Sequence, residues 1–337
     1  MTDTLNALVL LANFLIVPAL AYGSQLALGA LGITLVYAVL RFSNFAHGET
    51  MAFGTLATIF ATWGLQAAGI GLGPLPTALL ALPIGILACI GAVLATDRVV
   101  YAYYRRVSAP PIILLVASIG VMFVFNGLVR FLIGPDDRRF SDGERFVFSA
   151  REFRDWSGLD QGLALKTTQA LTVVVAVVAV AALFWFLART RTGKAMRAYA
   201  DNEALALLSG IDPDRVVRTA WILAAALATL AGVLYGLDKS FKPFVFLQIL
   251  LPLFAAAIVG GLGSPLGAIA GGYVIAFSEL GLTFAYKRFL GYLLPEDWAP
   301  EGLMQLLSTD YKFAVSFVIL VVVLVVRPTG LFRGSAP

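Results

Sequence analysis

Residues 168–188 read Thr-Gln-Ala-Leu-Thr-Val-Val-Val-Ala-Val-Val-Ala-Val-Ala-Ala-Leu-Phe-Trp-Phe-Leu-Ala, a run without one charged side chain. A helix needs about 20 mostly apolar residues to cross the hydrocarbon core of a bilayer. Backbone groups inside lipid must be hydrogen-bonded within the spanning structure, so this run is predicted to be a transmembrane helix. It decides the fold class, because similar runs recur along the chain.

Ten such hydrophobic segments are predicted. They cover residues 5–22, 24–40, 50–68, 75–96, 112–133, 168–188, 219–237, 243–262, 265–286 and 311–326. The chain is 60% hydrophobic and 13% charged, with a mean hydropathy of +0.88. Soluble domains have about 45–50% apolar and about 25% charged residues. We therefore predict an all-α polytopic membrane protein, with residues 1–337 forming a single transmembrane domain.

A chain with ten spans has both ends on one side, which we take to be the cytoplasm. This topology divides the 24 Lys and Arg residues about evenly between the two sides, so the positive-inside rule does not decide the orientation. It places residues 189–218, with their cluster of basic side chains, in the cytoplasm. Residues 134–167, which are rich in charges of both signs, become an ordered external loop.

Two sets of segments predict an inverted repeat. Five intervening spans reverse the direction of segments seven to ten relative to segments two to five. The Gly-rich joints at residues 69–74 and 260–265 then occupy equivalent places. Gly and Pro interruptions at matching positions are typical of transporter repeats.

The cytoplasmic segment contains signals for a short helix. Asp201 and Asn202 can cap it, and Gly210 can end it in a left-handed turn before Pro213. Such a helix suits a socket on a partner protein, although an amphipathic linker resting on lipid headgroups has the same pattern. Gly193-Lys194 is not a phosphate loop, because Ala188 stands where that motif needs glycine. Any ATP hydrolysis is therefore expected in another chain.

A second group of polar residues joins the second and third segments. Asn44 or Ser43 can cap the following helix, and Glu49 in its first turn suits the helix dipole. Alternatively, His47 and Glu49 contact a polar solute or relay protons.

Ionisable residues inside the spans are unfavourable by about 2.5–3.5 kcal/mol each, so they need a partner or a cavity. Arg130 near a segment end is interpreted as reaching the interface, whereas Glu279 lies on a helix with a small-residue face. Asn126 is a further candidate. One histidine and one cysteine cannot form a metal site, and no nucleophile elbow is present, so we expect no enzyme.

Five motifs together resemble the inner-membrane permeases of bacterial branched-chain amino-acid ABC importers of the Liv type. They are Asn44-Phe-Ala-His-Gly-Glu49, Ala117-Ser-Ile-Gly120, Gly193-Lys-Ala-Met-Arg197 continuing to Leu208-Ser-Gly-Ile211, Ala257-Ile-Val-Gly-Gly-Leu-Gly-Ser264 with Gly267-Ala268, and Arg327-Pro-Thr-Gly-Leu-Phe332. The resemblance covers nearly the whole chain.

The resemblance implies a multi-pass protein of the bacterial inner membrane that works with several partners and contacts lipid. No nucleic-acid partner is expected, because the basic residues lie in short loops between apolar segments. These partners are a second permease, identical or related, two cytoplasmic ATPases that bind ATP and Mg²⁺, and an external solute-binding protein. No cofactor is expected in this chain. The residues implied to couple to an ATPase are Gly193, Lys194, Arg197, Asp201, Asn202, Glu203, Ala206, Gly210 and Ile211. Those expected along a solute path or at a helix break are Asn44, His47, Gly48, Glu49, Asn126, Gly260, Gly261, Gly263 and Glu279.

The cargo implied by the resemblance is a small polar solute, foremost a branched-chain or another amino acid. Relatives also carry urea or short amides, and Leu250-Leu-Pro-Leu-Phe254 replaces a stretch that contains a lysine in some of them. A self-sufficient secondary transporter or channel is the alternative of a different class. It would use His47, Glu49 or Glu279 as ion sites.

Overall fold

In the computed structural model, which describes residues 2–293, 302 and 304–332, the chain is mostly helical. Nine long helices are described: α1 Thr2–Leu40, α2 His47–Ala67, α3 Ala78–Arg106, α4 Pro111–Ile133, α6 Thr167–Arg189, α9 Pro213–Lys239, α10 Val245–Gly260, α11 Pro265–Thr283 and α13 Thr309–Val326. The short elements are β1 Phe146–Phe148, α5 Ala150–Ser157, β2 Leu165–Lys166, α7 Arg191–Asp201, α8 Glu203–Leu208 and α12 Lys287–Leu293. Seven helices of this part of the chain are long and apolar enough to cross a membrane. The predicted all-α polytopic fold is confirmed.

The first two predicted segments form one helix, so the predicted break between residues 22 and 24 is wrong. Gly23 lies inside α1, where a side chain would meet the ring of Tyr273. It therefore provides space for a neighbouring helix. A glycine within a spanning helix keeps its backbone hydrogen bonds, which is why it does not end the helix in lipid.

This merger also corrects the predicted topology. Asn6 near the start of α1 donates to Asp160 at 3.3 Å and accepts from the backbone N–H of Gln161 at 3.1 Å. The N-terminal end of α1 therefore lies on the face that carries the loop of residues 134–166, which we call the loop face. The opposite face carries α7 and α8 and is called the α7–α8 face.

The centre of the bundle is formed by α9 and the second half of α1, which pack along each other. Most residues of both are buried, and many are Ala or Gly. Small residues allow helix backbones in membranes to approach closely. The peripheral helices α6 and α13 are largely exposed and present Val and Leu side chains outward.

Helix contacts follow the pattern expected of the predicted inverted repeat. In the first set α2 packs on α3 and α4, and in the second set α10 packs on α11 and α13. Contacts between the sets also match, because α9 packs on α2 and α3 while α1 packs on α10 and α11. The Gly-rich joint between α2 and α3 lies on the loop face, and the one between α10 and α11 lies on the α7–α8 face.

The loop of residues 134–166 is ordered. Strands β1 and β2 pair antiparallel, and Ser149 and Glu152 form a reciprocal capping box at the start of α5. Asp142 accepts hydrogen bonds from the backbone N–H and hydroxyl of Thr77 and from Gln66, which ties the loop to the joint between α2 and α3.

Candidate functional site

The joint between α1 and α2 connects the α7–α8 face to the interior. Arg41 has a left-handed backbone with φ of 55° and turns the chain back after α1. Its guanidinium donates a hydrogen bond to the carbonyl oxygen of Ala200 in α7. The six residues after α1 then lead inward to His47, which begins α2 beside Gly32 of α1.

Asn44 shapes this joint, although the predicted cap is wrong. The residue before α2 is Ala46, and no side chain caps the helix. Asn44 instead accepts from the backbone N–H of Ala46 at 3.1 Å and from the Tyr101 hydroxyl at 3.4 Å. Gly48 packs against the carbonyl oxygen of Phe246, so a side chain at that position would separate α2 from α10.

The imidazole of His47 is 2% exposed and is hydrogen-bonded to the backbone of Gly29. Its Nε2 atom has no hydrogen-bond partner within the described residues. A cavity of about 10 Å³ adjoins His47, Asn44 and Thr50. This volume corresponds to about one water molecule.

Glu49, two residues after His47 in α2, forms a second polar cluster. Its side chain is buried, and Asn126 of α4 donates to its Oε1 atom at 2.7 Å. Arg130 lies one turn further along α4, and its guanidinium carbon is 3.8 Å from the ring centroid of Phe244. Its Nε atom is buried, but its guanidinium lies against Phe244, which is 51% exposed, so the interpretation that Arg130 reaches the interface stays a prediction. The cluster links α2 and α4 to the start of α10.

Glu279 belongs to a separate buried cluster between α11 and α13. The side chain is fully buried, and its Oε2 atom lies 3.5 Å from Nζ of Lys312. The hydroxyl of Ser316 donates to its Oε1 atom. The Lys312 ammonium also lies 3.8 Å from the ring centroid of Tyr22, and the Lys239 ammonium lies 4.6 Å from the same centroid. Sequence reasoning found Glu279 but missed the other members of the cluster, which come from α1, α9 and α13.

The small-residue face of α11 explains how these helices meet. Gly271 and Gly272 leave no room for a side chain, because the backbones of Ala256 in α10 and Ala27 in α1 lie directly against them. The predicted close packing on this face is therefore confirmed.

The joint between α10 and α11 is a break at the α7–α8 face and does not line the buried clusters. The C-terminal segment pairs with it, since the backbone N–H groups of Leu331 and Phe332 donate to Val259 and Gly260 at 2.8 and 3.0 Å. Gly261 has φ of 111°, and a side chain there would overlap the carbonyl oxygen of Phe332.

The predicted coupling segment is folded into α7 and α8. Thr190 caps α7 by accepting from the N–H of Gly193, and Asn202 caps α8 by accepting from the N–H of Leu205. Asp201 is the last residue of α7 and does not cap α8, contrary to expectation. Gly210 adopts the predicted left-handed turn, with φ of 79°.

The side chains of this segment divide into inward and outward sets. Inside, Ala206 is buried, Ile211 packs against the core, and the hydroxyl of the buried Tyr199 donates to the exposed Glu203 at 2.6 Å. That hydrogen bond ties α8 to α7. The outward set comprises Lys194, Arg197, Asp201, Asn202, Leu205, Leu207, Leu208 and Gly210.

One cavity of about 320 Å³ brings two of the predicted groups together. Arg197 and Asp201 of α7 line it on one side, and Gly263 of the joint between α10 and α11 lines it on the other. The buried clusters at His47, Glu49 and Glu279 occupy other places between the helices. The candidate residues therefore form several connected sites instead of one pocket.

These features define a multi-pass membrane transport protein with polar groups buried between its helices and a folded segment exposed on one face. The family described as the branched-chain amino acid transport system permease component matches residues 15–324. The chain belongs to this family and is a permease subunit of an ABC importer. The family component carries no catalytic activity of its own.

Individual relatives agree with this assignment. The high-affinity branched-chain amino acid transport permease protein LivH of Salmonella typhimurium is 31% identical over 92% of this chain and 91% of its own length. The corresponding protein BraD of Pseudomonas aeruginosa is 28% identical over 94% of both chains. The fructose import permease protein FruG of Bifidobacterium longum is 24% identical over 81% of both chains. No solved structure matches the chain.

Proposed function

We propose that this permease imports an amino acid with an apolar side chain, delivered by an external binding protein and driven by ATPase subunits that dock on α7 and α8. The main evidence for the docking site is an apolar patch on α8, formed by Leu205, Leu207 and Leu208. These side chains are 61%, 45% and 86% exposed.

The patch is held in a fixed position, as a docking surface requires. Ala206 on the opposite side of α8 is buried, and Asn202 caps the helix. Because Leu208 projects from a helix fixed at its first residue, a groove on a partner can bind it with little loss of conformational entropy.

Movement of the docked segment can reach the interior through the joint between α1 and α2. Arg41 contacts Ala200 at the end of α7, and the joint continues to His47 and Glu49. A displacement of α7 thereby shifts the start of α2 relative to α4. In this proposal ATP-driven displacement rearranges the Glu49 cluster and alternates access to the solute path.

The proposed cargo rests on the relatives. Those named as branched-chain amino-acid permeases match this chain at 28–32% identity, and the fructose permeases match at 23–24%. The second permease of the complex is either a copy of this chain or a relative, and both are compatible with the proposal.

The test uses the permease co-expressed with its proposed partners, the ATPases, the second permease and the binding protein. Uptake of radiolabelled L-leucine into proteoliposomes should require ATP and the binding protein. Leu208→Asp should reduce both ATPase co-purification and uptake at least about tenfold, because a carboxylate would be desolvated in an apolar socket. Leu208→Met is the matched control and should retain both.

Three results would contradict the proposal. If the Leu208→Asp variant still associates normally with the ATPases, the apolar patch on α8 is not their docking site. Uptake driven by an ion gradient with this chain alone would indicate a secondary transporter. Uptake of urea or a short amide in place of leucine would contradict the proposal that the cargo is an amino acid.

A further inference from the structure

A charged vestibule opens on the loop face. It has a volume of about 510 Å³ and lies between the loop of residues 134–166 and the end of α9. Its cationic lining residues are Arg139, Arg145, Lys166 and Lys239. Its acidic lining residues are Asp142, Glu144 and Asp238.

One of the three carboxylates is already used by the fold. Asp142 accepts from the N–H and hydroxyl of Thr77 at 2.7 and 2.5 Å and from Gln66 at 2.8 Å. Partial burial opposes ionisation of Asp142, but these hydrogen bonds outweigh it and lower the pKa of the carboxyl group. Asp142 is thus an ionised anchor for the loop, and the hydrogen bonds occupy both of its oxygens.

The cations of the vestibule lack ion pairs within residues 2–293 and 304–332. Arg139 and Lys166 form no salt bridge there. Lys239 is directed at aromatic rings, with its Nζ atom 4.6 Å from the centroid of Tyr22 and 5.3 Å from that of Tyr235. The lining therefore has four cations against three carboxylates, an excess of one positive charge when all are ionised.

Two further carboxylates, Glu144 and Asp238, line the vestibule without an ion pair in the described residues, and the Oδ1 atom of Asp238 is buried without a hydrogen-bond partner there. Further inside, Glu279 is paired with Lys312 and accepts a hydrogen bond from Ser316. Lys312 contacts the same Tyr22 ring as Lys239, so the charged lining continues into the interior through this ring.

We propose that the vestibule binds the carboxylate of the solute on its way into the permease, with Arg139, Lys166 and Lys239 as its ligands. The inference rests on the proposed function and specifies the substrate class further. Charge-assisted hydrogen bonds to a carboxylate are stronger than those to a neutral amide. The vestibule thereby selects amino acids over their amides, over urea and over sugars.

Binding is measured by saturation-transfer NMR on the purified chain in nanodiscs of zwitterionic lipid, with L-leucine and L-leucinamide as probes. L-Leucine should bind and acetate should compete with it, while L-leucinamide should bind at least about tenfold more weakly. Lys166→Gln and Arg139→Gln should each weaken L-leucine binding by about the same factor.

Lys242→Gln is the matched control, because it removes the same charge beside the loop. Lys242 pairs with Asp137 at 2.7 Å and does not line the vestibule. This variant should bind L-leucine like the wild type. Equal binding of leucine and leucinamide, or equal effects of Lys242→Gln and Lys166→Gln, would overturn the inference.

The same carboxylate chemistry exists on acidic side chains of a binding protein. If Lys166→Gln abolishes docking of the binding protein but leaves binding of free L-leucine unchanged, the assignment to the solute is wrong. A failure of the proposed ATPase docking can be distinguished from a failure of this inference. The docking concerns Leu208 on the opposite face and is measured by co-purification.

Discussion

At the scale of single residues, the buried pair of Glu279 and Lys312 joins α11 to α13. The Glu279 side chain is fully buried, and the Lys312 side chain is 15% exposed. Burying both charges is unfavourable, and their mutual attraction offsets that penalty only while both partners are present. The pair therefore fixes the position of α13 more than it adds to stability.

Removing one partner tests this view. Lys312→Met should lower the free energy of unfolding by about 3–5 kcal/mol, because an uncompensated carboxylate stays buried. The double variant Lys312→Met with Glu279→Gln should recover part of this loss, since glutamine can still accept from Ser316. Thermal unfolding in detergent can be followed with a thiol-reactive dye, because Cys89 is the single cysteine and is buried.

Lys242→Met provides the control at an exposed ion pair, whose two side chains are 45% and 56% exposed. Its effect should stay within about 1 kcal/mol. A double variant as unstable as Lys312→Met alone would contradict the role of the pair.

At the scale of elements, local signals in the sequence predicted part of the local structure, although the predicted caps at Asn44 and Asp201 do not form. The cap at Asn202 and the turn at Gly210 were predictable, because a cap or a left-handed glycine depends on residues three or four positions away. The partners of Glu49 and Glu279 were not, since Asn126 and Ser316 lie 77 and 37 residues further along the chain. Such contacts depend on how helices pack, which hydropathy does not encode.

The glycines of the joint between α10 and α11 show the same limit. The glycines predict the turn locally, but the sequence pattern does not predict that the C-terminal segment covers this joint. Gly261 has φ of 111° and contacts the segment, whereas Gly73 in the joint between α2 and α3 has φ of 67° and an open surrounding.

This difference gives a comparison between equivalent joints. Gly73→Ala should lower the free energy of unfolding by about 1–2 kcal/mol, which reflects the left-handed backbone alone. Gly261→Ala should lower it by about 1–3 kcal/mol more, because its side chain also overlaps the Phe332 carbonyl. Denaturant unfolding of both variants measures the difference, and equal effects would show that the C-terminal segment does not hold this joint.

At the scale of the whole molecule, the structure assigns the two ends of the described chain to opposite faces. Asn6 contacts the loop of residues 134–166, and Phe332 contacts the joint beside α7. The sequence predicted both ends on the same side, because two apolar runs separated by Gly23 resemble two spans.

Labelling with a membrane-impermeant maleimide checks this arrangement in intact spheroplasts that carry Cys89→Ser. Thr4→Cys and Asp155→Cys should both react from outside. Leu208→Cys should react only after permeabilisation. Protection of Thr4→Cys together with labelling of Asp155→Cys would place the N-terminal end on the other face.

The length of α1 has a consequence for the surrounding lipid. Its 39 residues span about 58 Å, almost twice the thickness of about 30 Å of a hydrocarbon core. Tilting alone cannot absorb this difference, because it would require about 60°, beyond the range of about 0–40° found for membrane helices. The N-terminal arm exposes Leu5, Leu8 and Phe14, which are poorly suited to water. The arm therefore extends beyond the hydrocarbon core, and the π-helical turn Ala12–Ile16 is the place where α1 can bend so that these side chains lie in the headgroup layer.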